Sequence, residues 1–190
     1  MSVVSIDQAW PAAGQPFTIA ELDRMPQDGR RYELAAGVLV LSPRPSTIHQ
    51  VAAYRIGAAL GASCPAGWQV VPEPAVVLSL QTEFDPDVVV ARLADLGGTK
   101  ITRAPLLVVE IRSPSTALFD LNAKKLAYQE FGVESYWVVV PDLGKPELIA
   151  FELRDGQYNQ AAHVSGDEVY AAERPFPVEV VPSRLVAGLR

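Results

Sequence analysis

The chain has 190 residues, 49% of them hydrophobic and 20% charged, which is enough for one full core and ordinary for a globular protein. With 22 acidic side chains against 16 Lys and Arg its net charge is −6. That excludes a surface coated in phosphate-binding cations, but not a local basic cleft or an acidic site that turns attractive on binding a metal.

No apolar run nears the roughly 18 residues of a membrane span, and no basic stretch followed by an apolar core opens the chain. A cytoplasmic protein with no membrane role is therefore expected. The single cysteine, Cys64, allows neither an internal disulfide nor a cysteine-based zinc site. It reads as a small buried apolar residue.

Residues 1–16, punctuated by Pro and Gly, read as an N-terminal arm, and residues 17–190 as a single domain. Thr18 and Glu21 have the spacing of a capping box, which predicts a helix over 19–25. Residues 31–34 and 38–41 flank Ala35-Ala36-Gly37 as a hairpin. Ser46 or Thr47 then caps a helix to about residue 62, with Ile48, Val51, Ala52, Ile56, Ala59 and Leu60 as its buried stripe.

Residues 68–71 and 75–80 are strand-like. Two apolar runs follow, 84–91 and 105–111, each interrupted by an acid: Asp87 opens the first strand and Glu110 nearly closes the second. A second helix is predicted over 120–131, ending at Gly132. A strand over 134–140 comes next, then a hairpin of 146–153 and 157–164 across Asp155-Gly156. Residues 175–181 read as an edge strand that tolerates prolines. The order predicts an α/β domain with a mixed sheet.

If the Asp87 and Glu110 strands pair antiparallel, the start of one lies beside the end of the other and the two carboxylates meet. Buried together without a cation they would repel, at a cost of several kcal/mol. A divalent metal removes the conflict, so the pair points to a metal site.

The other candidates have bland alternatives. Lys124 shares a helix face with Asp120 and Tyr128, and on spacing alone it reads as a surface pair with Asp120. Its functional reading leans the ammonium back over the end of the Glu110 strand. Lys125 points elsewhere, into solvent. Glu33 alone reads as an outward polar residue on an alternating strand. His49 reads as a solvent-facing or core-edge histidine, and with His163 far away no zinc motif forms. Ser113 and Ser115 bracket Pro114 as a turn, and a serine nucleophile there lacks the usual elbow motif.

Taken in order, these residues resemble a known family. Tyr32-Glu33-Leu34 with Gly37, Ser42-Pro43, His49-Gln50 and Pro86-Asp87 form a first set. Val109-Glu110, Ser113-Pro114-Ser115-Thr116, Asp120, Lys124, Tyr128, Gly132-Val133 and Tyr136-Trp137 form a second. The series resembles the Uma-two family of the PD-(D/E)xK nuclease superfamily, from about Phe17 to the C-terminus.

The resemblance implies a restriction-endonuclease-like core, a mixed β-sheet flanked by helices, with an extra N-terminal helix and hairpin. It implies Asp87 and Glu110 as ligands of Mg²⁺ or Mn²⁺, and Glu33, Asp87, Glu110 and Lys124 as the catalytic set. His49 and Asp120 are accessory. Where the superfamily motif has lysine, two residues after the glutamate, this chain has Arg112, which cannot give up its proton. The lysine role falls to Lys124. The expected activity is metal-dependent hydrolysis of DNA phosphodiester bonds by a homo-oligomer. The alternatives are a nuclease fold retained for binding or assembly, and a serine hydrolase using Ser113 or Ser115.

Overall fold

The computed structural model describes residues 14–26, 28–42, 44–112 and 119–190, the side chains of 119–121 excepted. Thr18 and Glu21 form the expected capping box, with the Thr18 N–H donating to Glu21 Oε2 at 2.8 Å. Helix α1 (Ile19–Leu22) ends sooner than predicted. Pro26 disfavours helical geometry at Met25, so the chain turns out instead.

Strands β1 (Arg31–Ala35) and β2 (Val38–Ser42) pair antiparallel across Ala36-Gly37. Both turn residues have positive φ, 47° and 81°, as a two-residue hairpin demands. Gly37 is also sterically required, because a Cβ there would lie 2.5 Å from the Pro16 side chain.

Helix α2 (Thr47–Ser63) is capped by Ser46, whose Oγ accepts the His49 N–H at 3.2 Å. It buries His49, Ala52, Ile56 and Leu60. Strand β3 (Trp68–Pro72) follows, then β4 (Val76–Ser79) and β5 (Thr82–Phe84).

Here the sequence reading needs correction. It holds no strand at 82–84, and it opens the next strand at Asp87, whereas β6 begins at Val88. Phe84 ends β5, while β6 (Val88–Arg92) begins in a different sheet. The reason is tertiary: β5 is recruited to β1 through the Leu34↔Glu83 pair, which leaves Asp85-Pro86-Asp87 to cross between sheets.

The first sheet has the order β2-β1-β5-β4. The second also takes β7 (Leu107–Ile111), β8 (Ser135–Val140), β9 (Glu147–Arg154) and β10 (Gln157–Ser165), in the order β10-β9-β8-β7-β6-β3. It is mixed, since β7 and β8 run parallel and the other pairs antiparallel.

Between β7 and β8 a π-helical turn (Phe119–Lys124) leads into helix α3 (Lys125–Phe131), where a continuous α-helix was expected. The predicted terminal edge strand is also corrected. Strand β12 (Val178–Val180) pairs only with β11 (Tyr170–Ala172), and helix α4 (Pro182–Val186) follows. Pro175 and Pro177, lacking N–H groups, confine pairing to the residues after them.

Both faces of the second sheet are covered. Val88, Val90, Leu107, Val109, Trp137 and Val139 pack against α2 and the β11–β12 ribbon. Val89, Val108, Tyr136 and Val138 pack towards Tyr128 and Phe84. Burial on both faces explains why these strands read as apolar runs without alternation. Arg55 of α2 donates from Nη1 to the carbonyls of Leu185 and Ala187, 3.2 and 2.9 Å away, and so braces the end of α4. No described helix is long and apolar enough to cross a membrane.

Candidate active site

The crossing Asp85-Pro86-Asp87 lies where the two sheets splay apart. The last β6–β7 pair is Val88↔Val109, and Asp87, just before β6, and Glu110, inside β7, are the next residues along. Asp87 Oδ2 accepts the Ile111 N–H at 2.7 Å, a donor just past the last β6–β7 pair. The carboxylate thus completes the ladder as a backbone carbonyl would. His49 Nε2 stands 3.3 Å from the same oxygen, and Arg31 Nη1 is 3.6 Å from Oδ1.

Glu110 faces the α3 side. Lys124 Nζ donates to Glu110 Oε1 at 3.1 Å and to Glu33 Oε1 at 2.8 Å. The Tyr128 hydroxyl donates to Glu110 Oε1 at 2.9 Å, and the Asp85 N–H to Glu33 Oε1 at 2.9 Å. Four acids, Glu33, Asp85, Asp87 and Glu110, are thus gathered from β1, the crossing and β7.

The bland alternatives for three residues do not hold. Lys124 is only 4% exposed, so it is not half of a surface pair, and Glu33 at 2% is not an outward polar residue. His49 belongs to the buried stripe of α2. Lys124 and Tyr128, four residues apart, share the helix face that meets Glu110. Lys125 is not simply solvated, since its Nζ lies 3.7 Å from the centre of the Phe151 ring. The side chain of Asp120 lies outside the described residues, as do Ser113 and Ser115. Among the described residues no ion pair joins Arg112 to the four acids.

Two members of the cluster were missed from sequence. Arg31, two residues before Glu33 on β1, shares its face and stands near Asp87, Asp85 and Glu73. Strand alternation was the signal that would have found it. Asp85, which precedes Pro86-Asp87, is held in place by its N–H bond to Glu33.

The charges show which state the cluster prefers. Burial raises the Asp85 carboxyl, Arg31 pulls it down, and Glu33 and Glu83 add to the rise, leaving it at about 6. Burial also disfavours the charge on Asp87, but His49, the Ile111 N–H and Arg31 outweigh it and hold Asp87 below its ordinary value. Burial pulls the Arg31 guanidinium down, and Glu33, Asp87, Glu110 and Asp85 more than offset that. Tyr128 is held well above its ordinary value, first by burial and then by the charges of Glu110 and Glu33, so it stays a donor.

Comparison with known proteins places this geometry. A family model described as "Uma2: Putative restriction endonuclease" matches residues 19–185. The chain belongs to the Uma2 family. A solved structure described as a putative nuclease belonging to DUF820, from Anabaena variabilis ATCC 29413, superposes with a TM-score of 0.70 at 16% identity. The match covers 90% of this chain and 98% of that one, and at this identity it speaks for the fold. No curated protein matches the chain. The nuclease-like core of mixed sheet and flanking helices expected from the sequence is therefore present.

Uma2 membership raises the question of a divalent ion, and the donor set can be tested for it. Among the described residues, no group of three or more His, Cys, Asp or Glu side chains forms a ready ligand set. A hard ion such as Mg²⁺ does not need one, since one or two carboxylates with water and substrate phosphate suffice. Asp87 and Glu110 are hard oxygen donors, one step beyond the last β6–β7 pair. Glu33, Asp85, Asp87 and Glu110 outnumber Arg31 and Lys124, the cations set beside them. The residues fit a hard dication.

Proposed function

We propose that this protein is a metal-dependent nuclease that hydrolyses DNA phosphodiester bonds, with Asp87 and Glu110 as the residues that would hold Mg²⁺ or Mn²⁺. The reading is supported by the β6–β7 register, whose last pair, Val88↔Val109, stands one step before Asp87 and Glu110, and by the Lys124–Glu110 bond. When bound, the ion would polarise the scissile phosphate and lower the pKa of water.

The chain's own residues do the remaining work. His49 and the Ile111 N–H fix Asp87 from one side. Tyr128 fixes Glu110 from the other and leaves the Lys124 ammonium shared between Glu110 and Glu33. A buried ammonium so placed can orient an attacking water or offset charge developing on a phosphoryl oxygen. Glu33 keeps Lys124 at that station and ties it, through the Asp85 N–H, to the crossing that carries Asp87. Arg112, a guanidinium where the superfamily motif has lysine, takes no base role.

The test is cleavage of single- and double-stranded DNA in Mg²⁺ or Mn²⁺ by wild type, Asp87→Asn and Glu110→Gln. Each substitution keeps side-chain size, and each is expected to lower kcat/KM at least about 100-fold, the scale of losing one preorganised charge interaction. Unchanged rates in both variants would end the assignment. A nuclease fold without catalysis is favoured by one feature, Arg31 beside Asp87 as a built-in counter-ion. Calorimetry showing no Mn²⁺ binding by the wild type would support it.

A further inference from the structure

Two cations serve the acidic cluster, and they are held differently. Lys124 makes hydrogen bonds of 2.8 and 3.1 Å to its acids. Arg31 stands 3.6 Å from Asp87, 3.7 Å from Asp85 and 4.0 Å from Glu73, all beyond hydrogen-bond length. Its side chain is nonetheless only 23% exposed. A guanidinium offers five donors in a rigid fork shaped for paired carboxylate or phosphate oxygens. Here that fork is drawn in by charge without closing on any acid. This is the geometry of a counter-ion able to leave.

The structure also offers it a destination. Arg31 lines a cleft of about 560 Å³ that opens beside the crossing, together with Arg30, Arg44 and Lys100. Lys100 is occupied by Glu83 at 2.7 Å, whereas Arg44 has no ion-pair partner among the described residues. Asp87 lines a neighbouring cleft that shares Gln50 and Glu73 with this one, and Arg31 reaches from the first cleft to within 3.6 Å of Asp87. A dication and a guanidinium both placed on Asp87 would repel each other strongly at such separation.

We propose that Arg31 serves two partners in turn. It neutralises Asp87 while no metal is bound, and when a divalent ion takes over that carboxylate it turns its fork to the phosphodiester in the cleft. Arg31 is then a phosphate-binding and positioning residue, and its charge competes with the metal. This inference rests on the metal-dependent nuclease proposed above.

The experiment compares wild type, Arg31→Gln and Arg31→Lys by Mn²⁺ calorimetry without DNA and by steady-state DNA cleavage in Mn²⁺. Arg31→Gln is expected to bind Mn²⁺ about tenfold more tightly, because the competing charge is gone. Its KM for DNA is expected to rise about tenfold with a smaller change in kcat, the signature of lost substrate binding. Arg31→Lys keeps the charge and loses the fork, so Mn²⁺ affinity should stay near wild type while KM rises.

Weaker Mn²⁺ binding in Arg31→Gln with KM unchanged would show a merely structural arginine and overturn the proposal. An active, metal-binding wild type whose two variants match it in both readouts would overturn it while leaving the nuclease assignment standing. A wild type that neither binds Mn²⁺ nor cleaves would remove both. Should Arg31→Gln fail to fold, an unchanged KM in Arg31→Lys is still decisive against it.

Discussion

Asp85 contributes differently from the acids on either side of it. Its carboxyl sits at about 6, above the ordinary 3.8, mainly through burial, with Arg31 opposing the rise and Glu33 and Glu83 adding to it. The folded chain therefore binds this proton more tightly than the unfolded chain does. The stability this provides is complete below pH 3.8 and is lost as pH rises through about 6. By neutral pH the loss is on the order of 3 kcal/mol, of which about 1 kcal/mol falls between pH 5 and 7.5. Asp87 has the opposite sign: its depressed carboxyl stabilises the fold above the ordinary range and stops doing so as pH falls. Replacing Asp85 with Asn removes the first slope alone. In urea denaturation with EDTA, Asp85→Asn is expected to gain about 1 kcal/mol on wild type in moving from pH 5 to 7.5. An equal difference at both pH values would contradict the burial account.

At the scale of elements, α3 and its π-helical entry deliver Lys124 and Tyr128 to Glu110, and Gly132 ends the helix at φ 90°. A Cβ there meets no atom within 4 Å, so the penalty of Gly132→Ala is purely conformational, about 1 kcal/mol. Thermal melts should register that loss while cleavage kinetics stay at wild type. The cap itself was legible in the sequence, as were Ser46 before α2, the Ala36-Gly37 and Asp155-Gly156 turns and the strand that carries Glu110. Those features depend on local chemistry. The short strand β5 was not legible, because it joins its sheet through Leu34, some fifty residues earlier. The π turn carries no pattern separable from an α-helix. The antiparallel pairing of the strands that Asp87 precedes and Glu110 occupies could be anticipated, because the two are neighbours in the chain. The burial of Glu33 and Lys124 could not, since each depends on the other's charge.

Across the whole molecule the net charge of −6 limits how the proposed DNA substrate would be held. The cleft beside the site offers Arg30, Arg31, Arg44 and Lys100, but Asp23, Glu73, Glu83 and Asp85 line it too. Few cations are therefore left to replace condensed counterions. A plot of log affinity against log salt should have a shallow slope, about −2 to −3, for duplex DNA measured by fluorescence anisotropy. A slope steeper than about −6 would place the binding surface outside this cleft. The Arg55 brace carries a consequence of its own. Through it the last turn of the chain clamps the same helix that offers His49 to Asp87, about two turns away along the axis. A cut that removed the carboxyl end would unfasten that rod, and with it the imidazole's aim. Leu185 and Ala187 thus keep His49 in place from a distance.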